Sequence, residues 1–341
     1  MKTALTYDDI TIVPKYSTIE HRTECATGTK LTQNITLDMP LVSSPMDTIT
    51  ESEMAWEMAH LGGIGFVHRF MSIEKQTSII RKNRLAYNFK IGAAIGVAGD
   101  FIERAQELVE SNCQVLLIDV ANGHHVLVEN ALKRLKNEVK GSYDIIAGNV
   151  ATRNGARDLC EWGADGVRAG IGGGSLCSTR LQTGVGIPMV TCIIECVSGC
   201  DSYNIPVMAD GGIRTPGDVA KAIACGADTV MIGSLLSGTK EAPGTVTKNE
   251  IWPNETLQKK YRGSASIESK LDRGEKTNNI EGYSRTVPYK GKVKRIINDI
   301  LDGLRSSMSY TNSSNIEEFQ ANTDMVSITN AGIIEGKPHL L

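Results

Sequence analysis

Eight short apolar runs recur through the first 233 residues of the chain, which has 341 residues in all. Their starts lie 21 to 30 residues apart, except for one gap of 40. Because a short buried strand and its crossover helix fit within about 30 residues, this spacing predicts repeated βα units around a parallel sheet. The runs are Leu41–Ser44, Ile64–His68, Ile91–Ile95, Val115–Val120, Ile145–Val150, Gly166–Gly170, Pro206–Asp210 and Thr229–Gly233.

The segments between these runs have the pattern of amphipathic helices. In FIERAQELVESN, Phe101, Ala105 and Leu108 fall on one helical face, and in RTPGDVAKAIACGA the side chain of Thr215 can cap a helix. Eight such units predict an α/β fold, a closed (β/α)8 TIM barrel. A doubly wound open sheet has similar local signals and stays as the alternative.

Composition and charge narrow the class of protein. Hydrophobic residues make up 41% and charged residues 22% of the chain, which are values typical of globular proteins, and the net charge is −3. Since no basic stripe is present, we expect no nucleic-acid partner. The sequence shows neither a signal peptide nor an apolar run long enough for a membrane span, so we expect a cytoplasmic protein with no membrane partner and with its eight cysteines reduced.

The domain organisation follows from where the strand and helix rhythm stops. Polar, Gly-containing sequence over about 240–289 predicts an irregular flap over a site, and about 312–341 reads as a C-terminal tail after a last amphipathic helix. We therefore expect one catalytic barrel domain spanning 1–341, with these two segments as appendages.

Polar residues follow the predicted strands, at ends that all open onto the same face of a barrel, where active sites lie. This convergence predicts an enzyme. The residues are Ser44, Asp47, His68, Asp119, Asn122, Asn149, Ser175, Cys177, Asp210 and Ser234.

The most unusual segment is GIGGGSLCSTRLQTGVGIP, residues 170–188. Cys177 stands there beside Ser178, Thr179 and Arg180, and we expect Arg180 and loop N–H groups to favour the thiolate, the form that attacks. The alternatives are a small buried cysteine and a glycine loop that is only a tight turn.

Other features have structural explanations that compete with functional ones. Asp210 could accept hydrogen bonds from ribose hydroxyls or cap the turn that follows it. Cys192, Cys196 and Cys200 repeat every four residues, which favours core packing over an iron–sulfur site. We expect His68 to lie at a pocket edge or on the surface, without a bound zinc ion.

Several motifs together resemble the IMP dehydrogenase and GMP reductase family over nearly the whole chain. The segments that carry the resemblance are LTYDDITIVPKYS, PLVSSPMDTITESEMA, GGIGFVHRFMSIEKQ, GNVAT, GIGGGSLCSTR, ADGGIRTPGDVAKA, GSLLSGTKEAPG and KKYRG. The resemblance implies a homotetrameric (β/α)8 barrel that binds a purine nucleoside monophosphate. It also implies that a cysteine attacks C2 of the purine while a nicotinamide cofactor exchanges hydride there.

The resemblance assigns roles to individual residues. It implies Cys177 as nucleophile with Thr179 and Glu281 in acid–base roles. The implied nucleotide-binding residues are Ser44, Met46, Asn149, Arg168, Ser175, Asp210, Gly212, Gly233, Ser234, Tyr261 and Gly263. The implied cofactor-binding residues are Asp119, Ala121, Asn122 and Gly170, and the implied carbonyl donors for a monovalent cation, potassium, are Gly172, Gly174 and Cys177.

Two features distinguish the branches of this family. Only 22 residues separate His68 from Ile91, so the regulatory insert of CBS modules common in the dehydrogenases is missing. The flap also lacks the adjacent Arg-Tyr pair with which dehydrogenases activate water, and without that base an enzyme-bound thioimidate should resist hydrolysis. We therefore expect GMP reductase, with NADPH as cofactor.

Other segments favour other readings. The amino terminus, KKYRG and the carboxyl tail resemble the dehydrogenases, and Ser264 stands where the family usually has methionine. The first alternative is an insert-free IMP dehydrogenase that uses NAD. The second is a catalytically silent purine-nucleotide sensor.

Overall fold

Eight parallel strands close into a barrel in the computed structural model, which describes residues 2–87, 89–249, 256–277 and 280–338. Each strand pairs with the next along the chain, and the last pairs with the first. The predicted TIM barrel is confirmed, and each predicted run matches a strand to within a residue or two. The barrel strands are β4 (Leu41–Ser43), β5 (Ile64–Val67), β6 (Gly92–Ile95), β7 (Val115–Asp119), β8 (Asp144–Val150), β9 (Gly166–Ala169), β10 (Val207–Asp210) and β11 (Thr229–Ile232).

Helices cover the outside of the barrel between these strands. Phe101, Ala105 and Leu108 are buried as predicted, and Thr215 forms the predicted cap, as its side chain accepts from the N–H of Asp218 at 3.2 Å. Among the described residues, no helix is both long and apolar enough to cross a bilayer. The helices up to the last strand are α1 (Ser52–His60), α2 (Ile73–Tyr87), α3 (Phe101–Glu110), α4 (Val126–Glu138), α5 (Arg153–Glu161), α6 (Thr179–Thr183), α7 (Met189–Cys200) and α8 (Pro216–Ala224).

A short hairpin closes the amino-terminal end of the barrel. Its strands β2 (Thr29–Lys30) and β3 (Thr36–Leu37) bring Leu31 and Leu37 into the apolar cluster that fills the barrel interior. Since this end is packed with side chains, the opposite, carboxyl-terminal end is the one that can hold a ligand.

Two aspartates at the same amino-terminal end accept hydrogen bonds from backbone N–H groups near the starts of β8 and β10. Asp165 accepts a hydrogen bond from the N–H of Ile145 at 2.7 Å, and Asp228 accepts one from the N–H of Val207 at 2.8 Å. Asp165 also pairs with Lys136 at 2.8 Å. Burial raises the pKa of Asp228 from its usual 3.8 to about 6.

The flap segment, 240–289, was expected to be irregular, but it contains a three-stranded antiparallel sheet. The apolar-run pattern does not predict these strands, because they are short and mostly polar. They are β12 (Thr247–Asn249), β13 (Thr256–Arg262) and β14 (Ser284–Pro288), with helix α9 (Ile267–Asp272) between the last two.

The carboxyl-terminal segment packs against the barrel. Helix α10 (Val293–Tyr310) is followed by α11 (Ile316–Asn322), whose Ile316 and Phe319 are buried. Strand β15 (Met325–Ser327) then pairs antiparallel with β1 (Ile10–Ile12), near the start of the chain, and α12 (Asn330–Glu335) follows. The segment read as a tail from about 312 is therefore anchored by apolar side chains and by strand pairing.

Candidate active site

A cavity of about 680 Å³ opens at the carboxyl-terminal mouth of the barrel, beneath the flap segment. Every predicted site residue lines it except Asn122, which is exposed outside the lining. Asp47 and His68, two of the polar residues at strand ends, also lie outside the lining. The predicted residues in the lining are Ser44, Met46, Asp119, Ala121, Asn149, Arg168, Gly170, Gly172, Gly174, Ser175, Cys177, Thr179, Asp210, Gly212, Gly233, Ser234, Tyr261, Gly263 and Glu281.

Cys177, Thr179 and Glu281 form a continuous hydrogen-bonded chain in this cavity. The exposed Cys177 thiol donates to Thr179 Oγ1 at 3.1 Å, and Thr179 Oγ1 donates to Glu281 Oε2 at 2.6 Å. A hydroxyl between a thiol and a carboxylate can accept a proton from one while it donates a proton to the other. The arrangement can therefore move a proton between Cys177 and Glu281.

The flap segment reaches these hydrogen-bonded side chains by pairing with the segment that carries Cys177, residues 170–188, which we call the cysteine loop. Cys177 and Gly282 form an antiparallel bridge, the Ser178 N–H donates to the Glu281 carbonyl at 3.0 Å, and the Tyr283 N–H donates to the Leu176 carbonyl at 3.0 Å. These backbone bonds fix Glu281 beside Thr179, although 102 residues separate the two in sequence.

The guanidinium of Arg180 contacts the backbone of the cysteine loop. Its Nη2 donates to the carbonyls of Ile171, at 3.3 Å, and Ile187, near the two ends of the cysteine loop. The expectation that Arg180 favours the Cys177 thiolate stays a prediction, because the guanidinium keeps its charge while it binds these carbonyls.

The opposite end of the cavity gathers hydroxyls and glycines. Ser175 Oγ lies 3.1 Å from the hydroxyl of Tyr261, which is only 5% exposed, and burial raises the pKa of Tyr261. A side chain at position 233 would come within 3.5 Å of Ser44 Oγ, the Tyr261 hydroxyl and Met46 Sδ. Gly233 therefore leaves room for a ligand to approach the backbone closely.

Charged residues occupy the floor between these two ends. Asp210 Oδ2 accepts from Asn149 Nδ2 at 2.8 Å and from Arg168 Nε at 3.0 Å, and Arg168 Nη1 donates to Asp119 Oδ1 at 2.6 Å. The alternative reading of Asp210, as the cap of the following turn, does not describe these contacts. Its side chain belongs to the cavity floor.

The residues around Cys177 match a known family. The family model described as "IMP dehydrogenase / GMP reductase domain" matches residues 4–339. The chain belongs to this family.

Relatives in the IMP dehydrogenase / GMP reductase family have both names. The chain is 38% identical to an inosine-5'-monophosphate dehydrogenase of Cryptosporidium parvum, over 98% of this chain and 94% of the relative. It is 30% identical to a GMP reductase of Leishmania major, over 98% of this chain and 96% of the relative.

A solved structure resembles the chain over its whole length. A GMP reductase from Trypanosoma brucei, in complex with guanosine 5'-monophosphate, has a TM-score of 0.94 and 31% identity, covering 100% of this chain and 98% of the other. Both activities in the family name are oxidoreductase reactions on purine nucleotides. The resemblance seen in the sequence is confirmed at that level.

The three cysteines of α7 and His68 lie in the interior of the protein. Cys192, Cys196 and Cys200 are at most 1% exposed, so the predicted core packing is confirmed. His68 was expected at a pocket edge or on the surface, which is wrong, because it is 2% exposed and its Nε2 lies 3.1 Å from Glu51 Oε1.

The sequence reasoning missed a group of cavity residues around Phe70. The guanidinium carbon of Arg69 lies 5.0 Å from the Phe70 ring centroid and that of Arg273, on the flap segment, lies 4.3 Å from it. Arg273 also donates to Glu275 at 2.7 and 2.9 Å. These residues border a second chamber of about 390 Å³ as well. The charged run DRGEK in the flap segment was the only hint of this group in the sequence. Local sequence does not specify that Arg273 packs on Phe70 of the barrel.

Proposed function

We propose that the chain is a GMP reductase, which converts GMP to IMP and ammonia with NADPH as the reductant. The observation that carries this proposal is the hydrogen-bonded chain from Cys177 through Thr179 to Glu281. A reductive deamination needs a nucleophile to hold the purine and an acid to protonate the departing amine. Cys177 supplies the nucleophile, and Thr179 with Glu281 supplies the acid.

The chemistry divides into two steps at the purine C2. In the first, Cys177 Sγ attacks C2 and a C–S bond forms as the thiol proton passes through Thr179 to Glu281. The bond from C2 to the exocyclic nitrogen breaks as Glu281 and Thr179 deliver that proton to the departing ammonia. In the second, hydride adds to C2, the C–S bond breaks, and Cys177 leaves as a thiolate that takes a new proton from solvent through Glu281 and Thr179. NADPH, when bound, supplies that hydride.

The remaining site residues are proposed to hold the nucleotide. Backbone groups at Gly212, Gly233 and Ser234, with the hydroxyls of Ser175 and Tyr261, suit a phosphate. Asp210, whose Oδ1 accepts no hydrogen bond among the described residues, suits a ribose hydroxyl. The other proposed nucleotide contacts are Ser44, Met46, Asn149, Arg168 and Gly263.

The reduced cofactor is proposed to lie beside Asp119, Ala121 and Gly170, on the side of the cavity away from Tyr261. A dinucleotide needs more room than the nucleotide subsite alone offers, and the second chamber extends the cavity past Phe70. Carbonyls of Gly172, Gly174 and Cys177 are proposed to bind a potassium ion, for which oxygen ligands are suited. We also propose a homotetramer, to be checked by light scattering.

The flap segment favours the reductase over the dehydrogenase. Its Arg273 is followed by Gly274, so no tyrosine adjoins it, and the guanidinium is held by Glu275 and Phe70. An insert-free IMP dehydrogenase that uses NAD is the second candidate, and the 38% identity to the inosine-5'-monophosphate dehydrogenase of Cryptosporidium parvum favours it. A catalytically silent nucleotide sensor is a third, although a bare sensor has no need of a thiol in a proton relay.

The deciding experiment follows the near-ultraviolet absorbance of reduced nicotinamide with purified protein. GMP with NADPH is offered in one cuvette, and IMP with NAD and potassium in another. A fall in absorbance in the first alone supports the reductase. A rise in the second alone replaces it by the dehydrogenase, and no change in either, with GMP binding intact, supports the sensor.

A further inference from the structure

Arg168 lies between two carboxylates that come from different strands. From β9 its Nε and Nη2 contact Asp210 Oδ2, on β10, at 3.0 and 2.9 Å, while its Nη1 donates to Asp119 Oδ1, on β7, at 2.6 Å. Strand β9 neighbours β8 and β10, so the contact with β7 crosses the whole of β8.

A glycine in β8 makes this crossing possible. Gly148 is paired with Arg168, and a Cβ at position 148 would stand 2.6 Å from the Arg168 Cβ. Any side chain there would push Arg168 away from its present path. The backbone of the barrel thus leaves room for one arginine to connect β7 with β10 across four neighbouring strands.

Each carboxylate accepts from Arg168 through one oxygen, and its other oxygen is available to a ligand. Asp119 Oδ2 and Asp210 Oδ1 accept no hydrogen bond from the part of the chain that the structure describes, and both aspartates line the cavity. Arg168 itself is 7% exposed. Burial opposes its charge, yet Asp210 and Asp119 together raise the pKa of Arg168 above its ordinary value.

We propose that Arg168 is a positioning residue that prepares two ligand subsites at once, the nucleotide subsite at Asp210 and the cofactor subsite at Asp119. This inference rests on the proposed function, which assigns those two aspartates. The guanidinium holds both carboxylates turned so that one oxygen of each faces the cavity, where a sugar hydroxyl can donate to it. The resemblance of the sequence had assigned Arg168 to nucleotide contact alone.

The test measures the two affinities separately, by calorimetry with GMP and with NADPH, in a Cys177→Ser background that cannot turn over. Arg168→Ala should weaken both ligands by about tenfold or more, because both carboxylates lose a charged hydrogen-bond partner. Asp210→Asn should weaken GMP alone, and Asp119→Asn should weaken NADPH alone. Millimolar guanidinium ion, which can reach the space left on the cavity floor through the cavity, should restore both affinities in Arg168→Ala.

The outcomes separate this inference from the proposed function. If Arg168→Ala weakens only one ligand, or if guanidinium ion restores only one, the dual role is wrong and Arg168 is a contact residue of that subsite. If the Cys177→Ser protein with Arg168 intact binds neither GMP nor NADPH, the proposed function fails first. Lys136→Ala is the control, since Lys136 pairs with Asp165 at 2.8 Å at the amino-terminal end of the barrel, and neither residue lines the cavity or the second chamber. Weakening of both ligands in that variant would reduce the effect at Arg168 to general destabilisation.

Discussion

Thr179 donates a hydrogen bond of 2.6 Å to Glu281 across the junction of the cysteine loop and the flap segment. Thr179 follows Cys177 by two positions, while Glu281 belongs to a segment that follows the last barrel strand in the sequence. The acid–base function of the proposed reaction therefore depends on a contact between two separate parts of the chain.

Glu281→Gln should lower kcat by about a hundredfold and leave the KM for GMP nearly unchanged. An amide cannot act as the proton donor, whereas the hydrogen bond to Thr179 can persist, and general acid–base groups contribute on this scale. Steady-state kinetics with GMP and NADPH checks this. Glu268→Gln is the control, because Glu268 is a flap carboxylate outside the cavity lining that accepts from Ser284 at 2.9 Å and pairs with Lys260 at 3.8 Å. An equal loss in both variants would point to flap disorder.

Cys177→Ser should abolish turnover and leave GMP affinity within a few fold of the original protein. A serine hydroxyl at this place lacks the ready ionisation of a thiol, so the covalent step stops, while the phosphate and ribose contacts remain. Mass spectrometry of protein trapped with GMP would detect the covalent adduct in the original protein and none in the variant. Full turnover without Cys177 contradicts the mechanism.

Tyr261→Phe should raise the KM for GMP by roughly three- to tenfold with a smaller change in kcat, since one neutral hydrogen bond near the phosphate is lost. The Ser175 hydroxyl loses its 3.1 Å partner in this variant. Guanosine, which has no phosphate, should bind both proteins equally. Tyr283→Phe serves for comparison, as Tyr283 is 49% exposed. A matching loss for guanosine would remove Tyr261 from the phosphate subsite.

Asp228→Asn should make the protein more stable at pH 7. Because the folded-state pKa of Asp228 is raised from 3.8 to about 6, folding opposes ionisation, and stability falls as the pH rises between these values. The variant should gain up to about 3 kcal/mol at pH 7 and almost nothing below pH 4, since the amide oxygen can still accept from Val207. Denaturant unfolding at both pH values tests this.

Asp165→Asn is the matched comparison for that measurement. Asp165 makes the same kind of strand contact but also pairs with Lys136 at 2.8 Å, so removal of its charge should lower stability at pH 7. Equal shifts of the same sign in the two variants would show that burial of the Asp228 charge is not the cause.

The barrel could be predicted because its signal is local. Each strand is a buried run such as Val115–Asp119, and its neighbour in the sheet is the next run along the chain. The pairing of β1 with β15 and of Cys177 with Gly282 joins segments far apart in sequence. Such pairing depends on how the chain returns to the barrel, which no local pattern specifies.

The candidate site was predictable where strand ends and known motifs determine position. Ser44, Asn149 and Asp210 reach one cavity because parallel strands end at one face. The direction in which a side chain turns, in contrast, is not specified by these local patterns. Arg180 adjoins Cys177 in the sequence yet turns to backbone carbonyls, and His68 ends a strand yet turns inward to Glu51.

The antiparallel bridge between Cys177 and Gly282 also separates two properties of this protein. The barrel alone carries Ser175, Asp210 and Ser234, but Glu281 arrives only with the flap segment. Displacement of the residues around Gly282 alone would leave the proposed nucleotide contacts in place, most of them on the barrel with Tyr261 and Gly263 as exceptions, but would remove the proposed proton donor. Nucleotide binding and acid catalysis would thus depend on partly different segments, and substitutions around Gly282 could change the second without rebuilding the barrel.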